Sequence, residues 1–436
     1  MTSVFRNDRQ EYSGIDSLKF KKMRTNNNPH KGAVLSQWHP WSPLSFEEQV
    51  SQFRLFLAER LRCTGVQCWV GKNPVVFTSA ANYIKGSKEA EQGYNQFWER
   101  LQREVSTMEL PVPQRPDTIW SEILSFLDSI KETTGPTPAQ DAKVNGLLQG
   151  LLWLIQQRRL SKEQLIMFHA TVAPRFYFGS MLWQQKQPSD TPYSAYPGHL
   201  MLMLRMYLLY QGEINCNRYA YAGQDAEPLW ARQWYGICAL AEALYAIELP
   251  EGERKVVVDG PSGPGIKPFA FYQVFENVRD PAGRLLIEKV RWVLLDTDPE
   301  AEIIARHILK RLPIEYVIKT GRSADVRLPR GQSVFREFSD GVDDYFSDEY
   351  YCRHIVAGCG NLEVGGVYAS GNYAYNPQGK FLRILYNWFL HERTTEQLLQ
   401  LAEKALREFG KEGKRFEVGV HPVHPSQNIL LVRRLS

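Results

Sequence analysis

The acids best spaced for chemistry are Asp296 and Asp298, which close the apolar run Val290-Arg291-Trp292-Val293-Leu294-Leu295. Such a run reads as a central strand. Side chains at i and i+2 of a strand point the same way, so Asp296 and Asp298 are candidate catalytic and metal-ligating residues. They would hold Mg2+ or Mn2+ for nucleotidyl transfer, where two metals activate the attacking oxygen and stabilise the leaving one. A local reading competes: Asp298 stands directly before Pro299, and Asp before a helix-opening proline is a good N-cap. Downstream, Lys319, Arg322, Arg327 and Arg330 surround a Thr320-Gly321 turn and are candidate phosphate contacts. A basic arm with an aromatic inside it, Lys19, Lys21, Lys22 and Arg24 around Phe20, is a second candidate nucleic-acid contact.

Other clusters read more plainly. The acidic run Asp340 to Glu349 reads as a solvated loop, because it lacks the ligand spacing of a calcium loop. The glycines from Gly358 to Gly371 have no helix immediately after them and fail the dinucleotide fingerprint. His421 and His424 are flanked by prolines with no evident third ligand. No Walker loop, nucleophile elbow or H-E-x-x-H motif is present.

The order of strand, Asp296-x-Asp298, helix, strand, Thr320-Gly321-Arg322 loop and strand resembles the palm of archaeo-eukaryotic-type primases and primase-polymerases. The resemblance covers about residues 285–330. It implies that Asp296 and Asp298 bind metal and that the loop leads to a nucleotide-contacting strand. Where that family has a histidine, this chain has a residue near Asp325, so a non-catalytic palm is also consistent with it. Three functions follow as expectations: a primase-like enzyme, a non-catalytic nucleic-acid-binding subunit of the CRISPR-effector kind, and a protein-interaction scaffold built on the helical half. DNA or RNA is the expected partner, with protein partners through the tryptophan-rich helices.

Composition sets the frame. At 436 residues with 43% hydrophobic and 23% charged residues, the chain is globular and large enough for two or three domains. The net charge of +4, from 52 basic and 48 acidic residues, does not demand a polyanionic partner. Six cysteines without C-x-x-C spacing read as buried free thiols. The polar N-terminus has no signal-peptide pattern, and the most apolar stretch, Leu200 to Tyr210, is too short to span a bilayer. A cytoplasmic protein without a membrane partner is the expectation.

The elements that must position these residues are helical first. Ser45 with Glu48, Ser161 with Gln164 and Thr394 with Gln397 form capping boxes. Helical stripes run through Val50, Phe53, Leu57 and Leu61, and through Leu147, Leu148, Leu151, Leu152 and Ile155. Gly260 to Pro268, with its Gly-Pro-Ser-Gly-Pro-Gly core, is the strongest punctuation and reads as a domain boundary. Beyond it, Phe269 to Phe275, Leu285 to Asp296, Ile314 to Ile318, Cys352 to Tyr375, Arg415 to Val420 and Ile429 to Val432 read as strands or β-rich segments. Helices are expected from Pro299, over Phe381 to Leu390, and over Thr395 to Phe409. The expected fold class is α+β: an irregular basic arm (1–40), a mainly helical domain (41–259), and a domain (266–436) with a ferredoxin-like or RNA-recognition-like sheet and helices on one face.

Overall fold

The computed structural model describes residues 44–66, 86, 88–129, 137–172, 204, 206–208, 227–321, 333–374, 390–410 and 413–436. Six helices lead the described chain: α1 (Phe46–Cys63), α2 (Lys88–Ser106), α3 (Ile119–Ser129), α4 (Pro138–Gln156), α5 (Lys162–Val172) and α6 (Glu227–Ala246). Their starts are those the caps dictate. Ser45 Oγ accepts from the Glu48 amide at 3.2 Å while Glu48 Oε2 accepts from the Ser45 amide at 2.8 Å, satisfying two amides that the first turn leaves without partners. The apolar stripe of α1 packs on α6, where Phe53 meets Trp230 and Trp234 at ring separations of 6.1 and 5.0 Å. Trp234 Nε1 donates to Gln49 Oε1 at 3.2 Å, so both the ring and its polar edge are satisfied inside the core.

The rest alternates strand and helix: β1 (Lys255–Asp259), α7 (Ile266–Phe275), β2 (Val290–Asp296), α8 (Pro299–Leu309), β3 (Glu315–Thr320), β4 (Val334–Asp340), α9 (Asp348–Gly360), β5 (Leu362–Tyr373), α10 (Thr395–Gly410), β6 (Phe416–His424) and β7 (Gln427–Arg434). One seven-stranded sheet results, in the order β3-β2-β1-β4-β5-β7-β6. The first five are parallel; β7 runs antiparallel to β5, and β6 antiparallel to β7. The order reverses between β1 and β4, as in a doubly wound α/β sheet.

This corrects the expected ferredoxin-like or RNA-recognition-like α+β fold. A helix between β1 and β2, and another between β2 and β3, returns the chain so that consecutive strands lie parallel, and parallel strands need both faces covered. They are covered. Val257, Trp292, Leu294 and Phe338 face the cluster shared with α1, α6, α7 and α8. Val256, Val258, Val293 and Leu295 face the cluster shared with α9 and α10. Two local misreadings hid this. Phe269 to Phe275, aromatic enough for a strand, is α7, because period-2 alternation cannot be distinguished in a run apolar all round. The expected β-rich patch from Cys352 begins as α9, and only Leu362–Tyr373 is strand.

The Gly260–Pro268 segment joins β1 to α7, and β1 pairs with β2 and β4, which follow it in the chain. A single apolar cluster continues from Val50 in α1 through Trp234 to Trp292 and Ile429. Among the described residues no helix is long and apolar enough to cross a membrane.

A fragment comprising 266–436 lacks β1, the strand hydrogen-bonded to both β2 and β4. It is expected to show no cooperative urea transition, whereas the full chain does. A soluble fragment with a cooperative transition would restore the boundary at Gly260–Pro268.

Candidate functional site

The reversal of strand order leaves a crevice beyond the carboxyl ends of β1 and β4, where open α/β sheets bind ligands. Here β1 ends in Asp259 and the chain turns through Gly260-Pro261-Ser262-Gly263-Pro264-Gly265 into α7. The turn is tied to its neighbours: Gly260 N donates to Phe338 O at 3.0 Å and Ser262 N to Leu295 O at 2.8 Å. Gly265 has φ +71°, and a Cβ there would stand 3.1 Å from Ala305 Cβ and 3.3 Å from Leu309 Cδ1. Both conformation and the close packing of α7 on α8 therefore require glycine. This is a glycine-rich strand-to-helix turn, the feature sequence reasoning took for punctuation. The short run Lys255-Val256-Val257-Val258-Asp259 before it was the signal that would have shown a strand.

Asp296, at the end of β2, accepts from Gly263 N at 2.8 Å through Oδ2 and from Asp298 N at 3.0 Å through Oδ1. Burial raises its pKa, and the backbone amides of Asp298 and Gly263 oppose the rise. Asp298 caps α8: its Oδ1 accepts from Glu300 N at 2.9 Å. The two carboxylates thus hold backbone amides and do not form a metal pair. Strand alternation stops at Asp296, and Asp298 belongs to the helix start, so the i, i+2 argument does not reach it. Among the described residues no three His, Cys, Asp or Glu side chains converge as a metal-ligand set. The expected Mg2+ or Mn2+ cofactor and the nucleotidyl-transfer role of Asp296 and Asp298 are corrected accordingly. Lys319 is exposed on β3, where it pairs in register with Leu295. Arg322, Arg327 and Arg330, and the arm residues Lys19, Lys21, Lys22 and Arg24, lie outside the described residues. The primase-palm resemblance fails on topology: β2, α8 and β3 follow one another as expected, but β2 and β3 are parallel neighbours at one edge of a seven-stranded sheet.

The cleft instead gathers acids from three strand ends around two buried cations. Lys267, on α7, touches Asp340 at the end of β4, lies 3.6 Å from Asp259 Oδ1, and donates to Gln233 Oε1 at 3.2 Å. Arg232, on α6, has Nε 3.7 Å from Asp340 Oδ1 and Nη1 4.0 Å from Asp344 Oδ2. Asp344 Oδ1 accepts from Tyr373 N at 2.6 Å. Burial pushes Asp259 up to about 7, with Lys267 pulling it down and Asp340 and Asp296 pushing it further up. Burial likewise pushes Asp344 up to about 7 against the opposing pull of Arg232. The Asp343–Asp344 stretch of the expected solvated acidic loop is therefore interior. Its two carboxylates part company: Asp344 lines the cleft, while Asp343 accepts from Ser370 Oγ and lies 2.9 Å from His354 Nδ1.

The cleft has about 850 Å³ of empty space, part of it open to solvent, and Tyr207, Leu229, Tyr345 and Tyr373 complete its wall. Of the catalytic, metal and phosphate-binding candidates read from sequence, Asp296 and Asp298 line it, and so do Asp340 and Asp344 of the acidic run. Asp259, Arg232 and Lys267 were missed, whereas Asp340 and Asp344 are candidates, with Asp343 and Asp348, for a third carboxylate by nearness in sequence alone. Acids at the ends of apolar runs carried part of the signal; the two cations, on helices, carried none.

Fold and site together define a doubly wound α/β protein with an acid-rich cleft at its switch point. No family model matches the chain, and no curated protein matches it. Among solved structures it is similar to the S-adenosylmethionine-dependent methyltransferase SibL in its apo form, at 15% identity and a TM-score of 0.37, covering 69% of this chain and 78% of that one. It is also similar to an O-methyltransferase family 2 protein from Planctomyces limnophilus in complex with apigenin (12% identity, TM-score 0.34, 78% and 95% covered). A third is the magnesium protoporphyrin IX methyltransferase of Synechocystis PCC 6803 with bound SAH (13% identity, TM-score 0.34, 49% and 88% covered). The fold class rests on the strand order and register, not on these likenesses.

Two measurements check the site. As an N-cap, Asp298→Asn is expected to leave the urea midpoint nearly unchanged, while Asp298→Ala costs about 1 kcal/mol; equal losses in both would contradict the cap. Asp344 has a folded pKa raised above its unfolded value of about 4. Its contribution to stability is therefore full below about pH 4 and lost as pH rises through about 7. Asp344→Asn is expected to gain stability relative to the parent as pH goes from about 4 to about 7. Urea midpoints across that range would refute the raised pKa of Asp344 if the difference stayed flat.

Proposed function

We propose that the cleft binds S-adenosylmethionine and that the chain is a methyltransferase. The observation that carries this reading is the charge of the site. Among the described residues Asp259, Asp296, Asp298, Asp340 and Asp344 line it against Arg232 and Lys267, and both cations stand beside carboxylates. A pyrophosphate would add net negative charge to an excess of acid that two cations do not offset. A nucleoside bearing a sulfonium is attracted by the same field.

The residues present fit such a group. Asp296 stands at the end of the second strand, where an acid in nucleotide-binding α/β folds accepts from ribose hydroxyls. It uses one lone pair of each oxygen on backbone amides, and a carboxylate has about four such sites. The turn through Ser262 and Gly263 gives the ligand a close backbone approach, and Tyr207, Tyr345 and Tyr373 form a largely apolar wall that limits water. When bound, the cofactor supplies an electrophilic methyl group. The chain's own part is to orient it, to screen its positive charge with fixed carboxylates, and to keep the cleft dry. The reading includes a reducing, cytoplasmic setting, supported by the free thiols of Cys63, Cys238, Cys352 and Cys359.

Calorimetric titration of the full chain with S-adenosylhomocysteine and with NAD+ tests the proposal. Binding of the first and none of the second is expected. Asp296→Asn, which keeps one of the two backbone acceptors, is expected to weaken S-adenosylhomocysteine by about tenfold to a hundredfold, the range for a hydrogen bond to a charged group. Tighter binding of NAD+, or no binding of S-adenosylhomocysteine, would overturn it.

A further inference from the structure

We infer that Arg232 anchors a ligand carboxylate, so that the cleft selects a cofactor carrying a zwitterionic α-amino acid. The inference rests on the cofactor reading above and extends it to the helical half of the chain, from which Arg232 comes.

Arg232 is 2% exposed. Its two nearest carboxylates, Asp340 at 3.7 Å from Nε and Asp344 at 4.0 Å from Nη1, attract it as charges but stand outside hydrogen-bond reach. Among the described residues neither Nε nor Nη1 has an acceptor. Buried guanidinium donors without acceptors are costly and uncommon, and these belong to a side chain that lines the cleft. Lys267 differs: its ammonium already donates to Gln233 and touches Asp340.

The backbone has been cleared for this side chain. A Cβ on Gly371, in β5, would collide with Arg232 Cδ, and one on Gly341, just after β4, would stand 3.0 Å from Nη2. Gly341 has φ +86°, which favours glycine by itself, so the informative position is Gly371. Gly371 is an ordinary ladder position, paired with Asp340 and Ile429, and it is the passage of the arginine that excludes a side chain there.

Charge order indicates what fits. Along the floor the groups run Asp259, Lys267, Asp340, Arg232, Asp344. A lone carboxylate entering this row would add to an excess of acid. An α-amino acid adds no net charge: its ammonium lies among the aspartates, and its carboxylate meets the planar donor fork that carboxylates match.

The test is calorimetric titration of the full chain with S-adenosylmethionine and with decarboxylated S-adenosylmethionine, which lacks only the carboxylate. The parent is expected to prefer the first by about tenfold to a hundredfold. Arg232→Lys keeps the charge and loses the fork, and Gly371→Ala displaces the side chain without altering it. Each is expected to shrink that preference to within about threefold. Equal affinities in the parent would overturn the inference and leave the cofactor reading standing. A preference that survives both substitutions would do the same. Failure of the parent to bind either compound would overturn the cofactor reading itself, and this inference with it.

Discussion

The ammonium of Lys267, buried between Asp259 and Asp340, is the interaction on which the centre of this molecule depends. It joins the ends of β1 and β4, the two strands that part at the switch point. Removing one member of a buried charge pair leaves the others uncompensated, which costs far more than the pair contributes. The ion row cannot be justified as a stabilising device, since an apolar filling would serve stability as well or better. It lies at the carboxyl edge of the sheet, facing a cleft, the place where open α/β sheets bind ligands.

The rest of the architecture delivers those groups to one place. Parallel strands present all their carboxyl ends on the same edge, so Asp259, Asp296 and Asp340 converge although 81 residue positions separate the first from the last. Helix α6, far earlier in the chain than β4, lays Arg232 and Gln233 over that edge while Trp230 and Trp234 hold it to α1. On the opposite face, Asp343 is held by Ser370 and His354, and Arg393 binds the carbonyls of Asp343 and Phe346. Burial pushes neighbouring Glu337 up to about 7, with His354 pulling it down. This second polar group secures the turn after β4, so that Asp344 is turned toward the cleft.

Misassignment of the fold had a particular cause. A βαβ unit and a ferredoxin-like unit use similar local strings, and what separates them is which strands become neighbours. The apolar run ending at Asp296 was recognisable as a central strand; its partner β1, five residues long, was not, because Gly260–Pro268 behind it looked like an exit from a domain. Without β1 the chain offers no parallel centre, and an antiparallel sheet becomes the economical reading. The metal site failed for a related reason: the strand's alternation was extended two residues beyond its end, into a helix cap.

By itself the sequence determined what depends on neighbours a few residues apart. It specified the capping boxes at Ser45, Ser161 and Thr394, the helix opening at Pro299, the strands β2, β3, β6 and β7, and the candidacy of Asp296. Those features arise from hydrogen bonds and periodicities spanning one turn or one pleat, which the linear order contains. Tertiary structure alone decided that Gly260–Pro268 is a strand-to-helix turn lining a cleft, that Asp343 and Asp344 lie inside, and that Arg232 and Lys267 sit among aspartates. Each of these is a matter of which distant segment lies alongside, and of the desolvation that follows; no local pattern encodes either.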